Sequence, residues 1–368
     1  MRPLTVVQLL PALESGGVER STLEIASALV RAGHRAIVVS AGGRLVPSLE
    51  AIGATHVALD IGRKSPLSLR HVATLRRLFE RERADIVHAR SRVPAWLARF
   101  ALRGGGAHFL TTVHGLNSPS RYSAVMASGE RVVCVSETVR VHVLRHYPRV
   151  DPAHLRVIPR GIDPAAFPRA PLPDVAARAE AAARHPRLGG SGPLLLMPGR
   201  GTRLKGHADA LALLARLRAD GVDARLWMPG ALDPSRARYV AELEAEARTL
   251  GVADAVAITA PTAAMPRAYA ASDLVLQLSR KPEAFGRTVL EAVASGRPVA
   301  GWDHGGVGEQ LAQWWPQGAV APFDGAALAA NVAGQLARRA APAVTMPDTL
   351  RAMQEATLSL YVELAGQH

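Results

Sequence analysis

The sequence has one cysteine, few aromatic residues and no long apolar run. Cys134 alone excludes an intramolecular disulfide and any zinc site built from several cysteines. No stretch of about 18 uncharged apolar residues occurs, which excludes a membrane-spanning helix. The apolar run Leu4–Leu10 is short and is followed by Glu14 and Glu19, so it predicts a strand rather than a signal peptide. These absences predict a cytoplasmic protein with a reduced thiol.

Lysine is also scarce, yet the chain is strongly basic. Lys+Arg number 44 against 31 Asp+Glu, a net charge of +13, and only three of the basic residues are lysines. Residues 1–168 hold 23 basic and 12 acidic side chains, whereas residues 169–368 hold 21 and 19. A genome-wide preference for arginine would act on both halves alike, so it does not explain this placement. We expect the first half to meet an anionic substrate or the anionic inner face of the cell membrane, as a peripheral protein.

A basic nucleic-acid-binding protein is the alternative from another functional class. Aromatic residues make up only 4% of the chain, and its arginines form no single basic helix. Neither a stacking platform for bases nor a basic recognition helix is therefore predicted. We expect no nucleic acid among the partners.

Short apolar runs alternate with segments of helical length in both halves of the chain. Most runs are continuous, as in strands that are buried on both faces of a parallel sheet. A segment rich in proline and glycine, 161–192, separates two such series. The predicted fold class is α/β, with two doubly wound Rossmann-like domains facing a central cleft. We predict domains at 1–165 and 166–348, and a final helix in 349–368 whose apolar positions need a surface to cover.

Three positions at predicted strand ends in the first domain carry candidate binding groups. Gly16 and Gly17 follow the first strand at the start of a helix, where bare backbone suits an anionic ligand. His114 follows the fifth strand, where an imidazole can hold a sugar hydroxyl or donate to an oxyanion. Arg90 and Arg92 also follow a strand and are candidates for binding an anionic substrate. An ordinary turn, a structural histidine and surface arginines are the respective alternatives.

The second domain opens with a strand that runs into a glycine-rich loop. This loop carries Arg200 and Lys205, and a helix begins at about His207. The guanidinium fork and the lysine point charge both suit a diphosphate. A lysine is notable here because the chain contains only three. A solvated basic loop is the alternative, and the Gly-Lys-Ser/Thr ending of a Walker motif is missing.

Two carboxylates flank a predicted helix start later in the second domain. Glu283 lies in the loop before the helix, Gly286 breaks the chain, and the helix begins at about Arg287. Glu291 lies eight residues after Glu283, inside the helix. The helix N-terminus suits phosphate oxygens, and the two carboxylates can grip sugar or ribose hydroxyls. Surface carboxylates that merely complement the helix dipole are the alternative.

In combination, these segments resemble the retaining glycosyltransferases of family 4, which have the GT-B architecture. Glu283-x7-Glu291, with its Phe-Gly and the later Ser-Gly-x-Pro-Val, is the most specific match. The other segments are less specific, but they strengthen the resemblance because they occur in the same order as in the family. The matching segments, which span residues 16–309, are Gly16-Gly17-Val18-Glu19-Arg20, His114-Gly115, Val157-Ile158-Pro159-Arg160-Gly161-Ile162-Asp163, Gly199-Arg200…Lys205-Gly206, Glu283-x7-Glu291 and Gly305-Gly306-x-x-Glu309.

The resemblance implies roles for individual residues. The implied catalytic residues are His114, Glu283, Arg200 and Lys205. The implied donor-binding residues are Gly16, Gly17, Arg200, Lys205, Ile258, Glu283, Phe285, Gly286, Arg287, Thr288 and Glu291. Within this set the resemblance assigns the base to Ile258, the ribose to Glu291 and the sugar hydroxyls to Glu283. The implied acceptor-binding residues are Arg90, Arg92 and His114, and the final helix is implied to pack back on the N-terminal domain.

The chain departs from the family pattern at two positions. Arg160 replaces the usual asparagine of a Pro-Asn-Gly segment, and Ala284 replaces a common proline after the first glutamate. The segments His88–Trp96 and Ser123–Glu130 are similar to a subset of members associated with bacterial lipopolysaccharide core assembly.

The implied reaction moves a sugar from a UDP-, GDP- or ADP-linked donor to a glycan or glycolipid, with retention of anomeric configuration. No Asp-x-Asp metal motif is evident, so we expect neither a metal nor a cofactor. The family's usual account is attack on the same face of the sugar, with a leaving phosphate oxygen accepting the proton. We also predict a flexible loop at Gly305–Glu309. A nucleotide-sugar epimerase on the same architecture is the alternative enzyme, although it needs further acid/base carboxylates.

Overall fold

The computed structural model describes residues 2–14, 16–170, 172–343, 346–347 and 349–366. Contacts between residues divide the chain into two units. Unit 1 comprises Met1–Arg160 and Leu350–His368, and unit 2 comprises Gly161–Thr349. The sequence placed the corresponding boundaries after residues 165 and 348. Gln367 and His368, at the end of the predicted final segment, lie outside the described residues.

Each unit contains one parallel β-sheet. The strands of unit 1 are β1 Thr5–Leu9, β2 Arg35–Ser40, β3 Thr55–Ala58, β4 Ile86–Ala89, β5 His108–Val113, β6 Arg131–Cys134 and β7 Leu155–Val157. Their order is β3-β2-β1-β4-β5-β6-β7. The strands of unit 2 are β8 Leu194–Leu196, β9 Arg225–Pro229, β10 Val256–Thr259, β11 Leu274–Gln277, β12 Val299–Trp302 and β13 Ala319–Val320. Their order is β10-β9-β8-β11-β12-β13, so both sheets are doubly wound.

Helices connect the strands in both units. They are α1 Gly17–Arg31, α2 Val46–Ala51, α3 His71–Arg81, α4 Arg92–Ala101, α5 Glu137–His146, α6 Val175–Arg184, α7 His207–Ala219, α8 Ala237–Thr249, α9 Met265–Ala271, α10 Arg287–Ala294, α11 Gly305–Trp314, α12 Gly325–Ala337 and α13 Thr349–Ala365. Among the described residues, none of these helices has the length and apolar character needed to cross a bilayer. The two Rossmann-like α/β sheets match the fold class that the sequence predicts.

Local sequence signals explain where many of these elements begin and end. Asp174 and Asp324 cap α6 and α12, because their carboxylates accept hydrogen bonds from backbone amides of the first turn. Gly33, at φ +78°, follows α1 in a left-handed conformation that glycine adopts at little cost. The sequence analysis missed β7 and β13, because β7, Leu-Arg-Val, is interrupted by an arginine and β13 has only two residues, so neither forms a recognisable apolar run.

The final helix, α13, is part of the core of unit 1. Its buried residues Met353, Leu360 and Leu364 pack in one apolar cluster with Leu4 and Val6 of the first strand region and with residues of α1. A parallel sheet needs cover on both faces, and α13 supplies part of that cover from the far end of the chain.

A buried polar network ties α13 to the sheet. The Tyr361 hydroxyl lies 2.7 Å from Nδ1 of His88, and the His88 Nε2 lies 2.6 Å from Oγ1 of Thr112. Burial, with a smaller contribution from the Arg90 charge, holds the pKa of His88 well below its usual value. His88 is therefore neutral at pH 7 and can donate from one ring nitrogen while accepting at the other.

Leu364→Ala should destabilise unit 1 because it opens a cavity beneath α13. Leu364 is fully buried, so we expect a loss of about 2–5 kcal/mol in the free energy of unfolding. Leu67→Ala is the control, because this side chain is 75% exposed and should change stability by less than about 0.5 kcal/mol. Urea unfolding followed by hydrogen exchange in each unit measures the effect. Equal stability of the two variants would contradict the packing of α13.

Candidate active site

The carboxyl ends of the parallel strands gather the predicted site residues within each unit. Apolar side chains fill both faces of the sheets, so polar side chains have room mainly where the strands end. In unit 1 the relevant segments follow β1, β4, β5 and β7, and in unit 2 they follow β8, β11 and β12. Residues distant in sequence thereby become neighbours within a unit.

His114, just after β5, is held as a neutral hydrogen-bond donor. Nη2 of Arg160 lies 2.7 Å from Nδ1 of His114. An arginine can only donate, so Nδ1 accepts and Nε2 carries the proton. Burial, followed by the charges of Arg160 and Arg90 and by His88, holds the pKa of His114 well below its usual value. Its Nε2 is buried and has no hydrogen-bond partner among the described residues.

Arg160 is a site residue that the sequence analysis missed. It follows β7 and is only 9% exposed. Its Nη2 donates to His114, while its Nη1 donates to the carbonyl oxygen of Gly17 at 2.5 Å. One guanidinium thus joins the segments after β1, β5 and β7. The signal in the sequence was the departure from the family's asparagine, to which the sequence analysis assigned no contact.

Arg90 is buried beneath the same edge of the sheet. It is 4% exposed, its Nε donates to Oε1 of Gln8 at 2.8 Å, and its Nη1 donates to Oγ of Ser21 at 3.3 Å. By distance and angle its Nη2 has no hydrogen-bond partner within the described part of the chain, although the Tyr361 hydroxyl interacts with the guanidinium and opposes the effect of burial on its pKa. Burial lowers the pKa of Arg90, but an arginine remains charged at neutral pH. A buried cation with an unused donor is costly unless a ligand completes it.

Arg90, Arg92 and His114 line one cavity of about 320 Å³. Glu19 contributes a carboxylate to its wall, and Asn117 contributes an amide. Arg92 starts α4, donates to Oγ of Ser123 at 3.3 Å and lies 5.2 Å from the Tyr122 ring centroid. The structure therefore brings together the three residues that were predicted to bind the acceptor.

In unit 2, Lys205 and Glu283 form a close ion pair. Nζ of Lys205 lies 2.5 Å from Oε1 of Glu283, and Ser279 Oγ donates to the same oxygen. Burial by itself would raise the pKa of Glu283. The Lys205 charge and hydrogen bonds from Lys205, Ser279 and Gln277 outweigh it, so the pKa lies below its usual value. Glu283 is therefore an ionised acceptor at neutral pH.

The loop that carries Glu283 is fixed by the start of α11. The Gly306 amide donates to the Glu283 carbonyl at 2.7 Å, and Nε2 of His304 donates to the Ser279 carbonyl at 2.8 Å. A Cβ on Gly306 would lie 2.5 Å from the Cα of Phe285, so only glycine allows this approach. The prediction of a flexible loop at Gly305–Glu309 is therefore wrong, because these residues begin a helix packed against the Glu283 loop.

Glu291, one turn inside α10, is also held by neighbours. Its Oε2 accepts from the Tyr269 hydroxyl at 2.8 Å, and its Oε1 accepts from Nε of Arg287 at 3.1 Å. Burial and then the Glu291 charge raise the pKa of Tyr269 well above its usual value, so the phenol remains a donor. The sequence analysis missed Tyr269, because nothing local distinguishes a tyrosine of α9 that reaches α10.

The remaining predicted donor residues occupy less connected positions. Gly286, at φ +88°, precedes α10, and Arg287 and Thr288 form its first turn, while Phe285 is buried beside them. Arg200 is exposed in the loop after β8, and Ile258 lies on β10 at the edge of the sheet. In unit 1, Gly16 is the extended residue before α1, next to Gly17. Across the described ranges, no three His, Cys, Asp or Glu side chains come together as metal ligands.

Comparisons with known proteins agree with this architecture. Residues 15–166 match the family model described as Glycosyltransferase Family 4, and residues 180–357 match the model described as Glycosyl transferases group 1. A D-inositol 3-phosphate glycosyltransferase of Segniliparus rotundus is 32% identical over 185 residues, which are 50% of this chain and 39% of that protein. The chain thus spans about two fifths of the length of this relative.

Two solved structures extend the comparison to the whole chain. A glycosyltransferase from Rickettsia africae is 27% identical, covers 100% of both chains and superposes with a TM-score of 0.86. The Anabaena protein Alr3699/HepE in complex with UDP-glucose is 18% identical, covers 99% of this chain and 98% of its own, and has a TM-score of 0.76. The second likeness shows the fold alone. Two matched family models, two parallel α/β units and this structural agreement show that the chain belongs to the family 4 glycosyltransferases of GT-B architecture.

Proposed function

We propose that this glycosyltransferase moves a sugar from a nucleoside-diphosphate sugar to an anionic glycan or glycolipid, with retention and without a metal. The observation that carries the proposal is the Lys205–Glu283 pair beside the start of α10. A cation, an ionised carboxylate and the N-terminus of a helix at one strand edge match the phosphates and hydroxyls of such a donor.

The lysine of this pair can serve the carboxylate and the donor together. The Lys205 ammonium has three N–H donors, of which one is used by Glu283. The others can face a diphosphate oxygen, while the Glu283 carboxylate, which also accepts from Ser279 and Gln277, can exchange one of these bonds for a bond from a sugar hydroxyl. Glu291, held by Tyr269 and Arg287, would accept from the ribose. The pair thus positions its groups before the donor arrives, and the cost of ordering them is already met on folding.

Charge on the leaving diphosphate is the main demand of the reaction. Negative charge grows on the bridging oxygen as the glycosidic bond breaks, so groups that meet this charge stabilise the transition state. Lys205, Arg200 and the N-terminus of α10 supply positive potential for this purpose. This supports metal-independent transfer. Retention follows from the resemblance to family 4.

Unit 1 supplies the proposed acceptor site. The cavity of about 320 Å³ offers Nε2–H of His114 for a hydroxyl and Nη2 of Arg90 for an anionic oxygen. The relative from Segniliparus is named for an inositol phosphate, which agrees with an acceptor that bears a phosphate. The resemblance of His88–Trp96 and Ser123–Glu130 to enzymes of lipopolysaccharide core assembly points to such a core as the acceptor class. The same basic unit supports a peripheral position on the inner face of the membrane.

Donor binding should stabilise unit 2 in a way that identifies the nucleotide. UDP-glucose, GDP-mannose and ADP-glucose serve as probes in thermal unfolding, in excess EDTA. The true donor class at 100 times its dissociation constant should add about 2.7 kcal/mol to the free energy of unfolding. An absence of stabilisation by all three nucleotide classes would contradict the proposal, and a requirement for added metal would contradict its metal-independent part.

Lys205→Ala and Glu283→Ala should each reduce kcat by about 10²–10³, because each removes a group positioned for the transition state. Transfer is measured by release of nucleoside diphosphate in the presence of acceptor, and incubation with donor alone tests for epimerisation. Lys281→Ala is the matched control, since this exposed lysine lies two residues before Glu283 and should keep turnover within about twofold. Wild-type turnover in either site variant would refute the donor-site assignment.

Arg160→Asn should shift the titration profile of His114, followed by nitrogen NMR of the imidazole, to higher pH. Burial is the main cause of the low pKa of His114 and the Arg160 charge adds to it, so removal of that charge raises the pKa. Arg160→Lys keeps the charge and should keep the profile near its wild-type position. The loss of hydrogen bonds to a charged group should also lower kcat/KM about tenfold at pH 7.5.

Two further measurements separate this effect from general damage. Arg149→Asn, at an exposed arginine, should leave the profile unchanged. Nitrogen NMR of the imidazole should show the Nε2–H tautomer of His114 in the wild type, independent of any substrate. A profile in Arg160→Asn that coincides with the wild-type profile would refute the role of Arg160.

A further inference from the structure

The positive charge of unit 1 is concentrated in one stretch of the chain. Residues 61–129 hold twelve Arg and Lys but only three Asp and Glu, a net +9 of the +11 in residues 1–168. Two of those three acids are engaged, Glu82 with Arg35 and Arg81 and Asp85 with Arg2. The stretch contains α3 and α4, which pack against each other, and the segments that follow β3 and β5.

Two leucines are exposed within this stretch. Leu67 and Leu69 are 75% and 53% exposed on a short 3₁₀ turn, Pro66–Arg70. Ser65 Oγ accepts from the Leu67 amide at 3.3 Å, and Ser68 Oγ donates to the Arg63 carbonyl at 2.9 Å. Ser68 is buried between them, so the turn is anchored on its inner side and presents both leucines to solvent. The hydrogen bonds of the turn therefore hold both leucines in exposed positions.

Cations surround the two leucines. Arg63, Lys64 and Arg70 are exposed in the same segment, and residues 61–79 contain no Asp or Glu. Asp60 pairs with Arg63 at 2.5 Å and is the acidic residue beside the segment. Exposed aliphatic side chains next to several cations are complementary to a bilayer, in which anionic headgroups lie above an apolar interior.

Tyr122 connects this surface to the acceptor cavity. Nζ of Lys64 lies 5.6 Å from its ring centroid, and the Arg92 guanidinium lies 5.2 Å from the same centroid. Arg92 lines the cavity that also contains Arg90 and His114. One aromatic ring therefore contacts both a cation of the segment that carries the exposed leucines and a cation of the proposed acceptor site.

We propose that Arg63, Lys64, Leu67, Leu69 and Arg70, here called the docking surface, bind an anionic lipid bilayer. The leucines enter the interface and the cations contact headgroups. An acceptor held in that bilayer by a lipid then reaches the cavity past Tyr122, its anionic group passing from Lys64 to Arg92 and Arg90. The route rests on the proposed function, whereas the docking itself does not.

Other occupants fit the docking surface less well. A single-stranded nucleic acid would need exposed aromatic faces on which its bases stack. The ring of Tyr122 instead contacts Lys64 and Arg92. Two leucines on one turn are also too small an apolar core for a stable protein interface, which needs about 800 Å² from each partner.

Vesicle co-sedimentation tests the proposal with the full chain. Vesicles of phosphatidylcholine with 30% phosphatidylglycerol should bind the wild type more than about tenfold better than pure phosphatidylcholine, and salt should weaken this binding. The double variant L67S/L69S should lower the partition coefficient by at least about tenfold. Arg70→Ser should lower it about fivefold. The control L172S/L232S alters two exposed leucines of unit 2, 59% and 40% exposed, and should bind as the wild type does.

Three outcomes would overturn the proposal: equal binding to neutral and anionic vesicles, wild-type partition of L67S/L69S, or an equal loss in the unit 2 control. Displacement of the protein from vesicles by duplex DNA with no effect of L67S/L69S would assign the surface to nucleic acid instead. Stabilisation by the nucleotide-sugar donor is measured on the same variants and should match the wild type. A wild-type chain that docks but is not stabilised by any donor would refute the proposed function and leave the docking surface standing.

Discussion

When a parallel sheet is buried on both faces, polar functional groups can reach a ligand mainly at the edge where the strands end. Both units obey this constraint, and nearly every candidate residue lies on a segment that follows such an end. Arg90, His114 and Arg160 follow three strands of unit 1 and meet although they are far apart in sequence. Lys205 and Glu283 follow β8 and β11, which are neighbours in the second sheet. The chemistry of each unit is thus a consequence of strand order, because strand order decides which loops become neighbours.

The two units prepare their polar groups in opposite ways. Unit 1 leaves donors unpaired: among the described residues, Nε2 of the neutral His114 and Nη2 of Arg90 have no hydrogen-bond partner. Their burial without a partner costs stability that a ligand would recover on binding. In unit 2 the polar groups instead bind one another. Lys205 pairs with Glu283. Glu291 accepts hydrogen bonds from Tyr269 and Arg287. An entering donor there exchanges existing hydrogen bonds for new ones.

The sequence carried enough information for the fold class and for the residue types at the strand ends. Continuous apolar runs locate buried strands, and the start of α10 at Arg287 follows from the glycine before it. What periodicity cannot show is which distant side chains touch. Arg160 contacts His114 across 46 positions and Gly17 across 143, and Tyr361 reaches His88 across 273. Gly305 and Gly306 were misjudged for a related reason: glycine signals freedom locally, but here it permits close packing against a loop that precedes it in the chain.

The return of α13 to unit 1 sets the order in which a newly made chain can acquire its structure. Unit 2 is continuous, Gly161–Thr349, so it can fold as soon as it leaves the ribosome. Unit 1 is begun before unit 2 but lacks the side chains of Met353, Leu360 and Leu364 until unit 2 has been synthesised. At 5–20 residues per second, the intervening segment takes roughly 10–40 s to make. During that time the sheet of unit 1 exposes the apolar surface that α13 will cover, so the core of unit 1 is completed only after unit 2 has left the ribosome.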